Sequence, residues 1–164
     1  MPQDFEEIYA VHLEHVWRFV RARVPGQADA EDLTSESFVR ALGAWRGYDS
    51  RRGSVRAWLL GIARHVVADW WRRRAAEARL EDASDAVVNG GPEPEAEALA
   101  ALTMQEVRGH LANLTDRERD AVALRFGAGL KAAEVGAALG VSETAARMLV
   151  YRAVTRLRSL VNHD

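Results

Sequence analysis

In the stretch HVVADWWRRRAA (His65 to Ala76) two tryptophans stand beside three arginines. That pairing suits nucleic acid: arginines neutralise phosphates, and an aromatic ring stacks on an unpaired base. A second set lies at Ser142, Glu143, Thr144, Arg147, Met148, Tyr151 and Arg152. There Arg147 can fork onto a guanine edge, Thr144 or Met148 can touch a thymine methyl, and Arg152 suits a phosphate. Covalent chemistry has no comparable support. The chain has no cysteine, which removes disulfides, zinc fingers and thiolate catalysis. No nucleophile–base pair, glycine-rich phosphate loop or metal cluster is evident, so no catalytic residue, no metal and no cofactor are expected. His12 and His15 lie one helical turn apart without a convincing third ligand and read as ordinary histidines.

Charge is segregated along the chain. Between Arg51 and Arg74 there are seven arginines against one acid, Asp69; between Glu77 and Glu97 there are seven acids against one base, Arg79. The overall net charge of −2 conceals both blocks, and blocks of this size can bind a polyanion locally. Lys131 is the only lysine, so the position of an arginine says more than its identity. At 164 residues, 48% apolar and 28% charged, the composition is that of a soluble globular protein. The acidic start MPQDFEEIYA has no signal-peptide pattern, and no apolar run approaches a membrane span. A cytoplasmic protein is the default expectation.

These side chains need helices to position them, and helical periodicity runs through most of the sequence without strand alternation. Phe5, Ile8, Tyr9, His12, Val16, Phe19 and Val20 define a first helix that Pro25-Gly26 breaks. Asp29 to Trp45 forms a second, and GYDSRRGS a loop. A third runs from Val55 to about Ala78. Next comes DASDAVVNGGPEPEAE, acidic and without periodicity, within which the Pro-Glu-Pro-Glu run is stiff, self-repelling and has little to bury. Helices follow at 98–114, 116–126 (Thr115 and Glu118 forming a capping box), 131–139 and 143–161. The fold class expected is all-α: two small helical domains, 1–78 and 98–164, joined by an acidic flexible linker at 79–97.

In KAAEVGAALGVSETAARMLVYRAVTRLRSLV, Gly140 sits where a sharp turn needs positive φ and Ser142 caps the next helix. A buried stripe of Ala146, Val150, Ala153 and Leu157 would turn the basic face outward. This is a helix-turn-helix pattern. The alternative, a helical hairpin with solvated arginines, leaves the turn glycine and cap unexplained. In the third helix Val55, Trp58, Leu59, Ile62, Val66 and Trp70 share a core stripe. Trp71 falls a further 100° round, with Arg56, Leu60, Arg64, Val67 and Arg74. Two readings of that second face stay open: a nucleic-acid surface, or packing against another helix with snorkelling arginines. A membrane anchor fits less well, since the other face is needed for a core. Asp29, Glu31, Asp32 and Glu36 favour the helix dipole at the start of the second helix.

With those motifs in place, the chain resembles the extracytoplasmic-function sigma factors of bacterial RNA polymerase over nearly its whole length. DAEDLTSESFVRAL is similar to their polymerase-engaging helix, GSVRAWLLGIARHVVADWWRRR to their −10-element segment, and LTDRERDAVALRFGAGLKAAEVGAALGVSETAARMLVYRAVTRLR to their −35-binding domain. The resemblance implies that Asp32, Leu33, Glu36 and Phe38 dock on the clamp helices of the largest polymerase subunit. The C-terminal domain would sit near the flap of the second largest. Arg51, Arg52, Arg56, Arg64, His65, Trp71, Arg72, Arg73 and Arg74 would serve the unpaired −10 bases and their backbone. Ser142, Glu143, Thr144, Arg147, Met148, Tyr151 and Arg152 would serve the −35 duplex. The implied partners are core polymerase, promoter DNA and an anti-sigma factor. Two positions depart from the family pattern: His65 stands where asparagine is common, and Met148-Leu149 where a serine and an arginine are. The apolar pair implies either an unusual −35 preference or a contact with a partner such as the anti-sigma factor. The competing function is a helix-turn-helix regulator that never joins the polymerase.

Overall fold

A computed structural model describes residues 4–80 and 109–162. The linker expected at 79–97 and the helix expected from Ala98 lie largely outside these residues. All regular structure among the described residues is helical. No described helix is long and apolar enough to cross a membrane.

Helix α1 spans Phe5–Arg23, with the Asp4 side chain accepting from the Glu6 amide at 3.3 Å. Pro25 forbids its continuation, and α2 follows at Gln27–Ala44. A 3₁₀ turn at Trp45–Gly47 leads through a loop to α3, Val55–Leu80. The C-terminal part comprises α4 (Asp116–Val122), a π-helical turn (Ala123–Gly127), α5 (Ala132–Leu139) and α6 (Glu143–Asn162). Both capping-box bonds at Thr115 and Glu118 form, each at 3.2 Å. The continuous helix expected over 116–126 is instead interrupted after Val122. There the Ala128 amide donates five residues back, to the Ala123 carbonyl, at 2.9 Å, which widens the helix by one residue.

The core of α3 is broader than one stripe. Leu59 and Val66 are buried as expected, but so are Leu60, Ala63 and Val67. Trp58 and Trp70, expected in the core, are only half-buried. The cause is that α3 is packed from several sides, by α1 and α2 and also by α5. One hydrophobic cluster runs from Ile8, Phe19 and Leu59 through Leu124, Leu130, Val135 and Ala146. The two halves of the chain therefore share a core.

Small residues permit the close approach. A Cβ on Gly61 of α3 would lie 3.3 Å from the Ala138 carbonyl of α5, and one on Gly53 would lie 3.1 Å from the Ala137 Cβ. Around this contact Ser54 Oγ donates to Glu134 Oε2 at 3.2 Å. Arg23 Nε, at the end of α1, donates to Asp120 Oδ1 of α4 at 2.8 Å, with both side chains about nine-tenths buried. Burial pushes the Asp120 carboxyl above the usual aspartate range, and the Arg23 charge and hydrogen bond pull it only partly back.

Candidate nucleic-acid interface

The loop before α3 rests on an aromatic platform. Trp45 and Tyr48 stack with planes 3° apart and centroids 5.3 Å apart, and Trp58 tilts against both. Tyr48 Oη donates to the Gly53 carbonyl at 2.9 Å, and Ser54 Oγ caps α3 by accepting from the Ala57 amide at 3.1 Å. Asp49 accepts from the Arg51 amide at 2.9 Å and from its Nε at 3.1 Å. Arg51 and Arg52 are thus held out in solvent by a fixed loop. The hydrogen bonds from Arg51 keep the Asp49 carboxyl below its usual value.

Along α3 the expected DNA face divides. His65, Arg72 and Arg73 are exposed, whereas Arg56 and Arg64 are half-buried, each with an Nε that lacks a hydrogen-bond partner. Arg74 lies 4.7 Å over the Trp70 ring, a cation–π contact. Trp71 is 37% exposed. It meets Trp70 edge to face at 4.8 Å and donates its indole N–H to the Arg23 carbonyl at 3.1 Å. Of the mixed face, then, Leu60 and Val67 belong to packing, and Trp71 is anchored at one edge and open at the other.

On α2, Asp32 is exposed and Glu36 half-exposed, but Leu33 and Phe38 are 3% and 4% exposed. These two cannot present a docking surface. Phe38 is enclosed by Tyr9 at 4.8 Å and Phe5 at 6.5 Å, both edge-on. The apolar groups that do face solvent are Val39, 69% exposed, and Leu42, 57% exposed. Sequence reasoning missed Val39, although it continues the Asp32–Glu36 stripe at a spacing of three. Glu36 pairs with Arg40 at 2.8 Å, and Arg40 reaches Asp69 of α3 at 3.1 Å. Asp69 also pairs with Arg72. The hydrogen bond from Arg40 holds the Asp69 carboxyl below its usual value.

The α5–α6 unit has helix-turn-helix geometry. Gly140 adopts φ +72°, and Ser142 Oγ accepts from the Ala145 amide at 3.1 Å. Gly136 is a second requirement of the turn: the Val141 amide donates to its carbonyl at 2.9 Å, and a Cβ there would come within 2.8 Å of the Val141 oxygen. Its signal in sequence is a glycine inside a short helix, four residues before the Gly140 cap. Ala146 and Ala153 are fully buried, and Val150 and Leu157 half-buried. Ser142, Glu143, Thr144, Arg147, Met148, Tyr151 and Arg152 all lie on the exposed side. Glu143 holds Arg147 at 2.6 Å. Leu149 departs from expectation: it is half-buried against the core, so only Met148 of the apolar pair is free for a partner. Beside Tyr151 lies a groove of about 340 Å³ whose lining includes Arg125, Arg147, Val150 and Arg158.

Residues 8–77 match Sigma-70 region 2, and residues 110–159 match Sigma-70, region 4. The chain is 34% identical over 163 residues to the ECF RNA polymerase sigma factor BldN of Streptomyces coelicolor, covering 98% of this chain and 61% of that protein. It is 37% identical over 142 residues to the ECF RNA polymerase sigma factor SigC of Mycobacterium tuberculosis, covering 85% of this chain and 74% of SigC. The fold is that of the sigma factor RpoE from Bartonella quintana, solved in complex with the anti-sigma factor NepR: TM-score 0.72, 22% identity, 99% of each chain covered. The chain belongs to the ECF sigma factors of RNA polymerase.

Proposed function

We propose that this chain directs core RNA polymerase to promoters, with residues 1–78 engaging the polymerase and the −10 element, 79–97 as tether, and 98–164 engaging the −35 element. The observation that carries this reading is the pairing, in one chain, of two exposed cationic faces with an acidic α2 face. Arg51, Arg52, Arg72 and Arg73 supply the first, with His65 exposed among them; Arg147 and Arg152 supply the second, with Tyr151 beside them; Asp32 and Glu36 mark the α2 face. A regulator acting without polymerase would use only the helix-turn-helix. Because Leu33 and Phe38 are core, the polymerase-docking surface is Asp32, Glu36, Val39 and Leu42. Initiation here needs no covalent step by the sigma factor: duplex melting draws on the binding energy of captured bases. The site of action is the cytoplasm, and an anti-sigma factor would find Met148, Tyr151 and the adjoining groove on α6.

Reconstituted transcription with core polymerase on a promoter library tests the proposal. Specific transcripts that depend on both a −10 and a −35 motif are expected. DNA binding by the protein alone without any transcript would favour the regulator.

A further inference from the structure

His12 and His15 lie on one face of α1, their ring centroids 6.2 Å apart. The first turn of α3 brings Arg56 against them. Both imidazoles are held below their ordinary pKa, first by burial and then by the Arg56 charge; for His12 the other ring adds to this. On α1 itself Glu14 and Arg18 also act on His15, but they are bound to each other at 2.6 Å. Their opposed charges largely cancel. The Nδ1 of His12 and the Nε of Arg56 are buried without a hydrogen-bond partner, whereas His15 has the Val11 carbonyl one turn back. Three basic groups from two helices therefore converge, with no acid paired to any of them among the described residues.

Such a cluster resists taking up protons unless an anion offsets the added charge. We infer that His12, His15 and Arg56 form a phosphate-binding site. The inference deepens the proposed −10 function and rests on it for the identity of the DNA source. Arg56 adjoins the loop that holds out Arg51 and Arg52, so the same surface continues toward the −10 face. A phosphate oxygen would accept from the outward ring N–H groups and the guanidinium. The two histidines then take up protons as the anion binds, because its charge opposes that of Arg56.

The test follows the imidazole signals of the full chain by NMR across pH 5.5–8. One arm adds inorganic phosphate; the other adds a single-stranded −10 oligonucleotide to the complex with core polymerase and reads affinity against pH. Upward movement of the His12 and His15 titrations with inorganic phosphate establishes the site on the free chain, whatever the DNA does. Oligonucleotide affinity rising at least about threefold from pH 7.5 to 6, and flat in His12→Gln/His15→Gln, assigns the phosphate to the DNA backbone. Phosphate that moves the histidines while oligonucleotide affinity is the same in both proteins assigns it to a free anion. If phosphate leaves both titrations unmoved and oligonucleotide affinity has the same pH dependence in both proteins, the inference is overturned. Absence of any oligonucleotide binding by wild-type complex would instead remove the −10 reading and leave the phosphate arm to decide.

Discussion

Trp71 shows how one hydrogen bond divides a residue's work. Its indole N–H is committed to the Arg23 carbonyl while more than a third of the side chain stays exposed. Trp71→Phe should lower stability by about 1 kcal/mol, the worth of a hydrogen bond, and Trp70→Ala by about 2 kcal/mol, roughly half the loss of a fully buried ring. Urea unfolding of both, beside a promoter-opening assay, checks this. Trp71→Ala should impair opening more than its stability loss explains, and equal unfolding by both alanine variants would make Trp71 a core residue. Helical phase alone separated these tryptophans. It could not reveal the tie to Arg23, 48 positions away. The same limit applies to Leu33 and Phe38, whose burial depends on partners elsewhere in the chain, such as Phe5 and Tyr9 of α1 around Phe38. Alanine at either should cost about 3 kcal/mol, whereas Val39→Asp should leave the melting temperature within a few degrees and weaken polymerase binding at least tenfold. A Val39→Asp complex as tight as wild type would remove that face from the docking surface.

At the scale of elements, most helices were legible because each carries its own start and stop signals: Pro25, Ser54, Thr115, Gly140 and Ser142 all act locally. Two features were not. The π-helical turn at Ala123–Gly127 depends on fitting against α1, where a Cβ on Gly127 would sit 3.5 Å from the Arg18 carbonyl, and no local residue type announces that. The second buried face of α3 was ambiguous because its partners come from elsewhere in the chain. Gly136 offers a clean check on the helix-turn-helix. Gly136→Val would force a Cβ against the Val141 backbone, so the C-terminal unit should lose −35 duplex binding and thermal stability together. Met148→Ser, by contrast, should leave the fold intact and weaken binding of a protein partner. Leu149→Arg cannot serve that purpose, since it would place a charge against the core.

The whole molecule is closed across the Arg23–Asp120 pair. Arg23→Ala would leave a buried carboxylate alone, a loss of about 3 kcal/mol, visible as separation of the two halves by an interdomain fluorescence pair. The pH dependence has a definite sign. The closed form raises the Asp120 pKa, so it binds that proton more tightly than an opened form does. Closure should therefore strengthen as pH falls through the raised value, be complete below the ordinary aspartate range, and weaken as pH rises again. Asp120→Asn should flatten this dependence. His12 and His15 work in the opposite direction on overall stability: their lowered pKa values favour the fold above about pH 6.5, and that contribution is lost as they charge below it.

The contact of Gly61 with the Ala138 backbone has a kinetic and regulatory meaning on the proposed function. About 25 base pairs separate positions −10 and −35, roughly 85 Å of duplex at 3.4 Å per pair. A molecule with α5 seated on α3 cannot touch both ends. On that proposal only the opened fraction can carry polymerase to both elements, and the apparent dissociation constant scales inversely with that fraction. Gly61→Ala makes the contact too tight while favouring the α3 helix by up to about 1 kcal/mol. It should lower the concentration at which the factor saturates polymerase, without altering any residue that meets DNA. The dose threshold of the factor would then be written in the absence of one methyl group.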